Sequence, residues 1–219
     1  MSEAIVETLK HSGNTGTANL TLASSGAVTT ADDLTVGDNL VATKQNGCQR
    51  IILEQFLCPC DGTVMVLNQG NTTIADSSSV QQLTTSYVDL AGSEISYTPP
   101  TGTTQVIYEF VLHCAGKDAH GIGTIRTYLD DVEVTDAIFS FGASSYFDSR
   151  ICHRWAFNIG GTAVAASGRV ASWTSAKTIK MKGREYGGSN EAQVFGTRYT
   201  DNSGSTTFSR PSLGITAIG

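Results

Sequence analysis

Only four of the 219 residues are proline, charged side chains make up 16%, and no apolar run approaches the roughly 20 residues that a membrane-spanning helix needs. Membrane insertion is therefore not expected. The first ten residues, MSEAIVETLK, lack a cationic stretch followed by a hydrophobic one, so no export signal is visible. Positive charge is also short. A net charge of −6 and an isoelectric point near 5.1 argue against a nucleic-acid partner held through its phosphates. Five cysteines (48, 58, 60, 114 and 152) cannot all pair within the chain. Reduced thiols in a protein made in a cytoplasm are the simplest expectation.

Catalytic patterns are missing as well. There is no Gly-x-Ser-x-Gly elbow, phosphate loop or His-Glu-x-x-His. Cys58-Pro59-Cys60 has one intervening residue where zinc knuckles and thioredoxin-type motifs need two, and no second pair follows. These thiols read as packing groups on a buried or edge strand, with a metal site on a threefold axis as the alternative. His113, His120 and His153 read as strand-surface or loop histidines. Glu109 and Glu185 give no acid–base pair. The expectation is a non-enzyme without cofactor or metal.

What the chain does have is glycine (23 residues), abundant Ser and Thr, and many short alternating segments. In GTIRTYLDDVEV, Ile125, Thr127 and Leu129 share one face ahead of a turn at Asp130-Asp131. In RWAFNI, Trp155, Phe157 and Ile159 point one way and Arg154, Ala156 and Asn158 the other. In KTIKMKGREY, Ile179 and Met181 oppose Lys180 and Lys182. TQVIYEFVLHCA is apolar on both faces, as a central strand is, and PSLGITAIG is apolar to the last residue. Turn chemistry at TPPTG, FGASS, NIGGT and YGGSN separates these runs. The pattern predicts an all-β fold whose residues 77–219 form an antiparallel jelly-roll-like sandwich head.

The remainder divides in two. Residues 41–76 predict a β-hairpin neck hinged at Asp61-Gly62, with Pro59 confining its strand to an edge or bulge. Residues 1–40 offer only two- or three-residue β pieces around Leu20, Val28 and Leu34. Such pieces cannot bury a core alone, whereas three copies around one axis could; a disordered tail is the other reading. Acidic residues concentrate here: residues 1–76 carry −5 and residues 77–219 only −1.

Two features suggest binding. Tyr146, Phe147, Tyr186 and Tyr199 neighbour loops, where a rigid sandwich commonly carries recognition, although packing at strand ends would also account for them. The strip Lys177, Lys180, Lys182 and Arg184 could take an anionic glycan, or could be a solvated face that discourages edge pairing.

The segments LTTSYVDLAGSEISYTPPTGTTQVIYEF, RWAFNIGG, GRVASWTSAKTIKMKGREYGGSN and PSLGITAIG resemble a domain that recurs in predicted fibre and virion structural proteins of marine tailed phages, cyanophages included. The opening ETLKHSGNTGTANLTLASSGAVTT is similar to the start of many such proteins. The resemblance implies a homotrimer on the virion surface, attached to other virion proteins through its N-terminal stalk. Two functions then compete: a short fibre or spike binding host-surface glycan through the loop aromatics, and a capsid decoration or head-fibre protein. No catalytic residue is implied. The apolar C-terminal strand is expected at the threefold contact.

Overall fold

In the computed structural model, residues 51–116, 120–142, 148–189, 191–198 and 204–219 are described in full; within residues 1–50 the backbone of five short strands is described. The chain divides into two compact units, Met1–Gln49 and Arg50–Gly219.

In the first unit, β1 (Thr8–Leu9), β2 (Leu20–Leu22) and β3 (Val28–Thr30) form an antiparallel sheet in that order, and β4 (Leu34–Val36) pairs with β5 (Asn39–Val41). These are the short β pieces that the Leu20, Val28 and Leu34 segments predict.

The second unit is an antiparallel sandwich. Its strands are β6 (Ile52–Pro59), β7 (Val64–Leu67), β8 (Gly70–Thr73), β9 (Gln81–Gln82), β10 (Val88–Asp89), β11 (Ile95–Tyr97), β12 (Gln105–Gly116), β13 (Gly123–Leu129), β14 (Val132–Phe141), β15 (Asp148–Asn158), β16 (Lys177–Glu185), β17 (Ala192–Val194), β18 (Gly196–Thr197), β19 (Thr207–Phe208) and β20 (Ser212–Ile218). One sheet centres on β12, with β15 along one side and β20 and then β17 along the other; β6 lies outside β20 and β9 outside β17. The other sheet runs β14, β13, β16, with β10 and β11 end to end on its far edge. From β12 to β17 the chain changes sheet four times, the alternation of a jelly roll.

Period-two patterning fills the space between the sheets. Val106, Tyr108, Phe110, Leu112 and Cys114 of β12 meet Ile125 and Leu129 of β13 and Ile179 and Met181 of β16, all within one buried cluster. Polar atoms in this layer are satisfied across it. Tyr108 Oη donates to Ser93 O at 2.7 Å, Trp173 Nε1 to Tyr97 O at 3.0 Å, and Met181 N to Ser93 Oγ at 3.0 Å.

Four expectations change. The C-terminal strand β20 is internal, paired with β6 and β12, so the apolarity of SLGITAIG is used inside one chain and needs no threefold partner. Residues 50–76 are not a separate neck. β6 is an edge strand of the head, Phe56, Cys58, Cys60 and Ile74 are core residues, and Arg210 donates to Cys60 O, Asp76 Oδ1 and Ser77 O at 2.6, 2.7 and 2.9 Å. Asp61-Gly62 does not close a β6–β7 hairpin. Asp61 Oδ1 accepts from Thr63 N and Thr63 Oγ1, and the turn leads into a hairpin made by β7 with β8. His153 is buried, not on the surface. It shares the inward parity of Phe157, and its Nε2 lies 3.0 Å from Thr127 Oγ1 of the opposite sheet.

Candidate functional site

One end of the sandwich gathers the ends of several long strands. Gly123 of β13 is opposite both Phe141 of β14 and Glu185 of β16, while Ala115 of β12 is opposite Asp148 of β15. Close backbone packing draws these ends together. A Cβ on Gly116 would run into the His120 carbonyl, and one on Gly142 (φ +132) into the Gly121 carbonyl. Only glycine permits that approach.

Asp148 and Arg198 fix the rest of this end. The Asp148 carboxylate accepts from Thr197 Oγ1 at 2.9 Å and from the Arg198 backbone N–H. The Arg198 guanidinium donates to Gly116 O at 3.1 Å and twice to Gly204 O, at 3.0 and 2.7 Å. A planar, permanently charged fork thus ties two other segments to its own.

Tyr186 sits at this end. Its N–H donates to Ile122 O at 2.8 Å, its carbonyl accepts from Arg184 at 3.2 Å, and the residue is 72% exposed. The backbone is anchored and the ring is left to solvent, which suits a stacking platform better than a packing group. Tyr146, Phe147 and Tyr199 lie outside the described residues. Their described flanks are Gly142 and Asp148 on one side and Arg198 and Gly204 on the other, all at the same end.

The basic strip has a different outcome. Lys177 pairs with Asp130 at 2.6 Å, Lys180 with Asp131 at 2.6 Å and Lys182 with Asp89 at 3.5 Å. Arg184 donates to Glu185 O and Tyr186 O. On the same face the Arg126 guanidinium lies 4.3 Å from the Tyr87 ring centre and pairs with Glu133 at 2.7 Å. This is an outward ladder of matched charges. Sequence could show the lysines, but not the Asp89, Asp130 and Asp131 partners that cross-strand register supplies.

The described cysteines are separate, unpaired thiols. Cys58, Cys60 and Cys114 are buried and Cys152 is exposed, all four as free thiols, while Cys48 lies outside the described residues. Burial, reinforced by neighbouring Cys58, pushes the Cys60 thiol up to about 12, and its Sγ donates to Gly92 O at 3.3 Å. Among the described residues no three His, Cys, Asp or Glu side chains cluster as metal ligands.

No protein-family model matches the chain, and no curated protein matches it in sequence. Solved structures give remote likenesses. The infectious bursal disease virus Gt strain structure is 9% identical with a TM-score of 0.34, over 92% of this chain and 48% of that one. The infectious bursal disease virus VP2 subviral particle is 10% identical with a TM-score of 0.32, over 86% and 47%. The CBM36-1 domain of a multidomain xylanase from the hindgut metagenome of Trinervitermes trinervoides is 10% identical with a TM-score of 0.29, over 76% and 97%. The chain spans about half the length of the two viral chains. Likeness at this level assigns no function.

Proposed function

We propose that the chain is a structural protein of a phage virion surface, of the marine tailed-phage type that its sequence resembles. In this reading it is a trimeric short fibre or spike whose head binds a host-surface glycan. The observation that carries the binding part is the loop end. A rigid sandwich brings Gly116, Gly123, Phe141, Asp148, Glu185 and Arg198 together there, and the adjoining sequence bears Tyr146, Phe147, Tyr186 and Tyr199. Recognition on loops held by a β scaffold is a general solution, and tyrosine offers a large apolar face with a polar tip to a sugar ring. Residues 1–49, a separate unit of very short strands, serve attachment to other virion proteins and registration of the trimer. The role is structural and adhesive, not catalytic.

Adsorption competition tests this reading. The unit 50–219 should reduce phage adsorption to host cells, and the Tyr146→Ala, Phe147→Ala, Tyr186→Ala, Tyr199→Ala combination should abolish the effect while remaining folded. A folded head that never competes, with normal adsorption of particles lacking the protein, would replace the adhesin reading with capsid decoration.

A further inference from the structure

A concavity lies at the opposite end of the β13–β14 hairpin from the loop cluster. It encloses about 350 Å³, at the small end of ordinary ligand sites (about 300–1,000 Å³). Its floor is Leu129, Val134 and Val170, and its wall includes Ala163 and Ala165. Val132 on the hairpin, which also lines it, stays 52% exposed.

The wall is preformed. Val164 and Arg169 exchange both backbone hydrogen bonds, at 3.0 and 3.1 Å, around the single 3-10 turn Ala165–Ser167. Trp155 Nε1 donates to Ser167 O at 3.1 Å. Gly168, in the left-handed region at φ +70, lets the loop press on Phe157, where an added Cβ would stand 2.7 Å from a ring carbon. Across the cleft, Asp130 accepts from Thr178 N at 2.8 Å and pairs with Lys177.

The rim charge is unbalanced. Lys177 and Asp130 neutralise each other at 2.6 Å, whereas the Arg169 guanidinium has no hydrogen-bond or ion-pair partner among the described residues. An apolar floor lined also by an arginine without a partner among the described residues suits a ligand with an apolar body and an anionic end. We propose that this cleft binds a small amphipathic carboxylate, its apolar body on Leu129, Val134 and Val170 and its carboxylate on Arg169. Arginine presents a two-pronged donor that carboxylates fit. The proposal does not depend on the adhesin reading.

Octanoate is the probe, titrated into the full chain with 13C-labelled Leu and Val methyls. Saturable shifts are expected at Leu129, Val132, Val134 and Val170, with octylamine bound at least about tenfold more weakly. Arg169→Gln should weaken octanoate by about tenfold and leave octan-1-ol unchanged, since only the charge-assisted contact is removed. Ala165→Phe, which narrows the cleft, should weaken both. The same methyl spectra report whether each variant is folded. The proposal is overturned by shifts that do not saturate, by shifts equal to those at the exposed Val66, or by an Arg169→Gln variant that binds octanoate as the parent does.

Discussion

His153 places a titratable ring where protonation is unfavourable. Its surroundings are the Thr127 hydroxyl at 3.0 Å and the Phe139 ring, whose centre is 5.1 Å away, and burial lowers its pKa from 6.5 to about 4. Between those values the unfolded chain holds the proton and the folded chain does not. Stability is therefore complete above about pH 6.5 and falls as the pH drops toward 4, by at most about 3 kcal/mol. Denaturant titrations across that range should show the slope, and His153→Gln, which can still bond Thr127, should flatten it. His153 was expected on the strand surface; the parity it shares with Phe157 was the signal for its inward position, whereas nothing in the sequence marks the Thr127 partner in the other sheet. Thiol accessibility follows the same alternation of faces. In the native protein a thiol reagent should modify Cys152 quickly and Cys58, Cys60 and Cys114 only on unfolding, with peptide mapping identifying the modified residues.

Among elements, the β13–β14 hairpin shows where local sequence and global fold compete. Asp130 (φ 50) and Asp131 (φ 62) both occupy the left-handed region, as a two-residue primed turn requires, yet neither is glycine. Asp130 is retained by its bonds to Thr178 and Lys177, whereas Asp131 makes one exposed pair with Lys180. Asp131→Gly should thus raise stability by about 0.5–1 kcal/mol, and Asp131→Val should lower it by about 1–2 kcal/mol, both read from denaturant midpoints. This turn was legible because alternation stops at Asp130 and resumes after it. The neighbouring irregularity was not. Opposite Arg126, β14 carries residues 135–138 out of register, so that Thr127 pairs with Val134 but Ile125 with Phe139. A bulge changes the face of every later side chain, and no period-two pattern reveals where it falls. Strands as short as β9, β10 and β17 were unreadable for a related reason: two or three residues carry no period, and they are aligned only by their partners, β10 by β16, β17 by β12 and β9 in turn by β17.

At the scale of the whole molecule, the head begins at residue 50 rather than 77. Removing residues 50–76 would strip the β20 edge of its β6 partner and delete Phe56, Cys58, Cys60 and Ile74 from the core. Large core truncations cost about 2–5 kcal/mol each against a total stability of about 5–15 kcal/mol, so residues 77–219 alone should not fold cooperatively, while residues 50–219 should. Thermal unfolding followed by circular dichroism distinguishes the two. With β20 internal, the proposed trimer would have to assemble through the first unit. Sedimentation should give a trimer for the full chain and a monomer for residues 50–219. The sandwich was legible from the alternation of β13, β15 and β16, whereas inclusion of β6 was hidden because its partner β20 lies some 150 residues later. The central proposal, a place on the virion surface of a phage, is tested most directly by immunogold labelling of intact particles of the phage proposed to carry the gene, with antibody against residues 50–219. Gold on the particle surface, absent from particles lacking the gene, is the expected result. Unlabelled particles, with the protein left in the soluble fraction of the lysate, would contradict it.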